Sequence, residues 1–130
     1  MNKSPLYNDS VDDIHQLKQR ERNLRFIIDN ASDAIFCHDF NGKMLLVNEE
    51  MCKRIGYTHD EALQLTPNDI LSQNSAKLAV DIFRQLKRTG HALAESEIET
   101  KDGRLIPVEI NAKIINFEGN EAVLIVGRDI

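Results

Sequence analysis

Residues 105–117 set Ile106, Val108, Ile110, Ala112 and Ile114 on one side and Pro107, Glu109, Asn111 and Lys113 on the other. That period of two is the signature of an extended strand with one buried and one wet face, and no helix reproduces it. Such a strand needs partners, and its flanks supply them. Upstream, residues 92–100 alternate Ala92, Ala94, Ser96 and Ile98 against Leu93, Glu95, Glu97 and Glu99, a mostly polar pattern that suits an edge strand, with Asp102-Gly103 as the turn between. Downstream, Glu118-Gly119-Asn120 turns the chain into 121–128, where Val123-Leu124-Ile125-Val126 fits a central strand.

A second β region lies near the front. Residues 34–40 and 44–47 flank Asn41-Gly42, a pair suited to the positive φ angles of a tight hairpin. Both segments are apolar on both faces (Ile35 and Cys37 against Ala34 and Phe36; Met44 and Leu46 against Leu45 and Val47), so something must cover each side. Between the two β regions the punctuation is helical. Asn48 caps a helix that opens with Glu49-Glu50, closes with Lys53-Arg54 and stops at Gly56. Thr58 and Glu61 form a capping box, Thr66-Pro67 opens a third short helix through Leu71, and a longer helix over 74–88 carries Leu78, Ala79, Ile82, Phe83 and Leu86 as one stripe.

The front end is a loose leader over 1–8 followed by a helix over 10–30, with Ser10 as its cap and a sparse stripe of Val11, Ile14, Leu17, Leu24, Ile27 and Ile28. Leu17 and Leu24 lie one heptad apart, so the stripe suits a short coiled-coil seam as well as it suits a helix on its own domain. Helix, two strands, four helices and three strands, kept apart in sequence, predict an α+β domain with helices gathered on one face of an antiparallel sheet. The hollow between sheet and helices is the natural ligand site.

Charge removes several function classes. The chain has 16 basic and 21 acidic residues, a net −5; residues 1–30 balance at five each, so the whole excess sits on 31–130. Without a basic stripe, nucleic acid is not an expected partner. The longest apolar run, Ala122-Val123-Leu124-Ile125-Val126, is far below the ~20 residues of a membrane helix. Two cysteines, Cys37 and Cys52, make no disulfide framework, which favours a reducing, cytoplasmic setting.

Several short motifs stand in a fixed order. Asp33-Ala34-Ile35 and Asn41-Gly42 mark the first hairpin, and Val47-Asn48 precedes Gly56-Tyr57. Glu61 lies in the second short helix, Lys101-Asp102-Gly103-Arg104 precedes Pro107-Val108-Glu109, and Gly127-Arg128-Asp129-Ile130 completes the set. In that order, from about Leu24 to Ile130, the chain resembles a PAS domain, a sensor module of prokaryotic signalling proteins. The resemblance implies the PAS fold: a five-stranded antiparallel sheet with the first hairpin and last strand central, short helices over one face, and an N-terminal helix against the other face or a second subunit. It divides the chain into a leader and N-terminal helix, 1–23, and a sensor domain, 24–130. It further implies a non-catalytic sensory and dimerisation module of a larger signal-transduction protein, such as a sensor histidine kinase or diguanylate cyclase. Ile14, Leu17, Leu24 and Ile28 would form the homodimer helix, and Asp129 and Ile130 would relay the signal to an output domain beyond residue 130.

No catalytic or metal-binding pattern competes with that reading, since His15, His38, His59 and His91 are scattered without ligand spacing. Cofactor-bearing relatives of the family offer a test. Where light-sensing flavin members carry a reactive Cys, this chain reads Leu65-Thr66-Pro67-Asn68-Asp69-Ile70-Leu71; haem-binding members offer a His from the long helix, and here His91 falls just past it; redox flavin members often carry a Trp, and this chain has none. The expectation is therefore no cofactor, with a haem- or flavin-binding redox or gas sensor and a ligand-free docking domain as the alternatives. Cys37, Asn48, Met51, Ile55, Ile70, Leu71, Ile82, Phe83, Val108 and Ile110 are expected to line the hollow. Cys37, Asn48, Thr66 and Asn111 are the polar groups expected to meet a small, mostly apolar ligand.

Overall fold

The computed structural model describes residues 5–72 and 76–130, and side chains within 11–72 and 77–130. Helix α1 (Pro5–Asp29) leads into strands β1 (Ala34–Asp39) and β2 (Met44–Val47). Helices α2 (Glu49–Ile55), α3 (His59–Leu63), α4 (Pro67–Ile70) and α5 (Ala76–Thr89) follow, then β3 (His91–Glu99), β4 (Leu105–Phe117) and β5 (Asn120–Asp129). The expected start of α5 at Asn74 lies outside the described residues. Helix α1 begins five residues ahead of Ser10, so the leader expected over 1–8 is helical at least from Pro5. Proline suits a first helical turn because its missing N–H would be unpaired there in any case.

The sheet is antiparallel throughout, in the order β2-β1-β5-β4-β3. The polar alternation of β3 does mark an edge. Of the first hairpin only β1 is internal, because β2 forms the other edge. Helix α3 packs on β2, where Met44 and Val47 are buried and Leu45 and Leu46 half-buried. The hairpin turn also differs from the expected pair of positive φ angles: only Gly42 takes one, at 87°. Asp39 does the rest of the work, its carboxylate accepting from the N–H groups of Asn41 (2.9 Å) and Lys43 (2.8 Å).

Strand parity decides what faces where. Ala34, Phe36 and His38 share a side with Val123, Ile125 and Gly127 of β5 and with Val108 and Ile110 of β4. Helices α2 to α5 lie over that inner side, and Met51, Ile55, Ile70, Val108 and Val123 are its most deeply buried large side chains. Ile35, Cys37, Leu46, Leu124 and Val126 occupy the outer side. Cys37 is only 1% exposed between Leu46 and Leu124, while its four neighbours are half-buried. Residues 11–27 of α1 are exposed, Leu17 at 62%, so that stretch does not lie on the sheet. Of its described side chains, Ile28 and Asp29 at its end tuck in, where α1 meets α2.

Candidate functional site

Between the inner sheet face and the helices lies a cavity of about 180 Å³. Its floor is Ala34, Phe36, His38, Ile98, Val108, Ile110, Val123, Ile125 and Gly127, and its roof is Met51, Pro67, Asn68, Leu71, Ala79, Ile82, Phe83 and Leu86. Among the described residues, no charged side chain lines it. His38, Pro67, Asn68, Leu71, Ala79 and Phe83 also border a wider cleft that includes Asp39, Phe40, Gly42 and Thr66, so the cavity continues toward the surface there. At this mouth the rings of Phe40 and Phe83 meet edge to face, 6.1 Å apart, and the Lys87 ammonium sits 4.8 Å above the Phe83 ring.

Of the ten residues expected to line the hollow, six do: Met51, Leu71, Ile82, Phe83, Val108 and Ile110. Ile55 and Ile70 are buried in solid core, and Cys37 faces the outer side because its parity in β1 is opposite to that of Phe36 and His38. A one-residue change of parity exchanges faces, and the two-sided apolarity of β1 hid which face was which. Burial raises the thiol pKa of Cys37, and burial followed by the nearby Glu49 and Asp29 carboxylates raises that of Cys52. Neither thiol is therefore poised as a thiolate.

Asn48 is fully buried yet has no place in the cavity wall, because all of its hydrogen-bonding capacity is spent elsewhere. Its Oδ1 accepts from the N–H of Ile35 (2.9 Å) and, as the cap of α2, from that of Met51 (2.9 Å). Its Nδ2 donates to the carbonyls of Ile28 (2.9 Å) and Asp33 (3.0 Å). One side chain thus joins the end of α1, the start of β1 and the start of α2. Thr66 is engaged with Asp69 in the capping of α4, and exposed Asn111 with the His91 ring at 2.9 Å. Asn111 is on the outer side of β4, away from the cavity.

The polar group that sequence reasoning passed over is His38. Its ring stacks beside Phe36 and lines both cavity and cleft, and burial lowers its pKa more than the neighbouring Asp39 raises it. Spacing from Phe36 was the available signal, since residues two apart on a strand share a face. His15, His59 and His91 are exposed, and among the described residues no three His, Cys, Asp or Glu side chains group as a metal site.

Arg54 is a second unforeseen residue. Its side chain is only 13% exposed and makes a 3.1 Å ion pair with Glu50 and another with Asp129. It also donates to the carbonyls of Gly127 (2.9 Å) and Ser32 (2.7 Å). The expected relay residue Asp129 is thereby fastened to α2 and to the loop before β1, while Ile130 is exposed. The 50/54 spacing, one helical turn, marked the first of these pairs in the sequence. On the far side of α2, Lys101 pairs with Glu61 at 2.8 Å and lies over the Tyr57 ring at 5.6 Å. The Lys101 hydrogen bond, more than the Thr58 N–H, holds the Glu61 carboxyl down at about 2.

These features match known proteins. The PAS-fold family model covers residues 22–130. The methyl sulfide methyltransferase-associated sensor of Methanosarcina acetivorans is 29% identical over 115 residues, which make up 88% of this chain and 12% of that protein, so the chain spans about an eighth of its relative's length. Among solved structures, the PAS domain of an HTR-like protein from Haloarcula marismortui is 25% identical with a TM-score of 0.77, covering 92% of this chain and 98% of that one. A domain of a sensory box sensor histidine kinase/response regulator from Geobacter sulfurreducens is 27% identical with a TM-score of 0.71, covering 87% and 96%. With the matching family model spanning most of its length, and with this sheet order and helical cover, the chain belongs to the PAS-fold family.

Proposed function

We propose that the chain is a non-catalytic sensory and dimerisation module of a longer signalling protein, a sensor histidine kinase or a similar protein, with a small and mostly apolar molecule as its signal. Residues 1–23 serve as the dimerisation element and 24–130 as the sensor domain. The boundary falls inside the continuous helix α1. The observation that carries the reading is the placement of the cavity. Its wall includes Val123, Ile125 and Gly127 of the central strand, whose end is clamped through Asp129 to Arg54. A molecule that wedges β5 by a fraction of an ångström changes the fit of that clamp, and the equilibrium shifts by the difference in its affinity for the two states. Asp129 and Ile130 then pass the change to an output element.

The dimer reading rests on Ile14, Leu17 and Leu24, exposed along α1, and on the balanced charge of that helix; Ile28 contributes at its half-buried base. An acidic body without a basic face leaves nucleic acid out of this scheme, and no described helix is long and apolar enough to cross a membrane. The scheme places the module in the cytoplasm. The test is an amide and methyl NMR titration of the chain with toluene. Shifts at Val123 and Ile125 should be accompanied by shifts at the Arg54 Nε–H and the Asp129 amide. Shifts that stop at the cavity wall, or no binding at all, overturn the relay.

A further inference from the structure

We propose that the cavity selects a compact, neutral molecule carrying one hydrogen-bond donor, with phenol as the simplest match, and that the Nε2 atom of His38 accepts that donor. The proposal rests on the cavity being a ligand site and adds the chemical class of the ligand. The first step is the tautomer. Nδ1 of His38 lies 2.8 Å from the carbonyl oxygen of Asp39. A carbonyl only accepts, so Nδ1 carries the hydrogen, and the neutral ring is left with an unprotonated Nε2 whose lone pair can only accept.

That nitrogen has no protein partner among the described residues, and no polar side-chain atom among them is both fully buried and unpaired. Nε2 is thus accessible, from a ring that lines the cavity and the cleft leading to it. The desolvation that lowers the ring's pKa keeps it neutral, and therefore an acceptor, around pH 7.

The rest of the wall narrows the class. Among the described residues no Lys, Arg, Asp or Glu side chain lines the cavity, so a charged ligand would lose its hydration with no countercharge in return. Asn68, the other polar side chain, is exposed at the mouth and already solvated. A volume of about 180 Å³ is slightly larger than the ~150 Å³ apolar cavity that takes up benzene in another protein. One ring and one O–H fill this space and use the His38 acceptor. A ligand with only acceptor atoms would instead leave its lone pair facing that of Nε2.

The experiment titrates the whole chain with phenol and with toluene, equal in heavy atoms and different in the donor, following the Val108 and Ile125 methyl signals. Because the two probes differ in their own hydration, the quantity read is the ratio of their affinities in wild type against the same ratio in His38→Phe. A net hydrogen bond predicts that the phenol-to-toluene ratio falls about three- to tenfold in the variant. In the wild-type chain, which needs no substitution to fold, the Nε2 nitrogen resonance of His38 should move upfield on adding phenol and stay in place with toluene. An unchanged ratio, or an unmoved nitrogen resonance with phenol bound, overturns the proposal while toluene binding leaves the sensory reading standing. Binding of neither probe removes both.

Discussion

Asn48 is the residue whose removal most directly tests how the fold is tied together. Asn48→Ala deletes four hydrogen bonds of 2.9–3.0 Å from a fully buried site. At about 1 kcal/mol net for each, the loss is roughly 4 kcal/mol, of which the helix cap alone accounts for ~1. For a domain of this size that is a large share of the ~5–15 kcal/mol total, and it corresponds to a Tm drop on the order of 10–20 °C. Urea denaturation followed by circular dichroism reads it. A loss below about 1 kcal/mol would refute the reasoning, because it would mean water replaces all four partners without penalty. Asn48→Asp sharpens the test. It keeps the acceptor toward Ile35 and Met51 but turns an oxygen toward the carbonyls of Ile28 and Asp33. The new carboxyl then prefers its protonated form in the folded state, so its folded pKa is raised. Stability lost at neutral pH should return as pH falls through that raised pKa. A variant equally weak at pH 7.5 and pH 5 would show that the donors to Ile28 and Asp33 do not matter.

Other expectations follow from the same geometry. Lys101→Met removes the main cause of the low Glu61 pKa, so the Glu61 carboxyl carbon should titrate well above 2, toward its ordinary 4.5, in a pH series of carbon-detected spectra. In the wild type that interaction supports the fold above pH 4.5 and fades as pH falls toward 2. Arg54→Gln strips the charge that holds Asp129 and should cost about 2 kcal/mol, with faster amide hydrogen exchange at 127–130 than at 34–37. Burial depresses the His38 pKa below 6.5, so its neutral form supports the fold above that pH and this support declines as pH drops below it. The urea midpoint of His38→Phe should lack that part of the decline between pH 7.5 and 5.5. Leu17→Glu with Leu24→Glu places like charges on exposed positions of α1, so light scattering should report a dimer for the wild type and a monomer for the variant, with thermal stability nearly unchanged.

How much of this was legible beforehand depends on periodicity. The 105–117 alternation, the Asn48 and Thr58 caps, the helix opening at Thr66-Pro67 and the stop at Gly56 are local signals, and each appears where the sequence places it. The face of β1 was not legible, because Ala34, Ile35, Phe36 and Cys37 are all apolar and only pairing with β5 decides between them. That ambiguity put Cys37 in the cavity wall and left His38 out of it. Asn48 illustrates a related limit: its capping role is local and legible, but its bonds to Ile28 and Asp33 join segments 20 and 15 residues away. The Arg54–Asp129 pair spans most of the domain, and only the closed sheet brings the two together.

The length of α1 has a mechanical consequence. Twenty-five helical residues make a rod of roughly 37 Å, held to the domain near Ile28 at one end and exposed from Val11 to Ile27. A rod clamped at its base works as a lever. A tilt of about 5° at the Asn48 anchor sweeps the distant tip through about 3 Å, by simple proportion to that length. A displacement too small to disturb the packing around the anchor therefore becomes, at the far end, a movement comparable to the offset between neighbouring side chains on a helix.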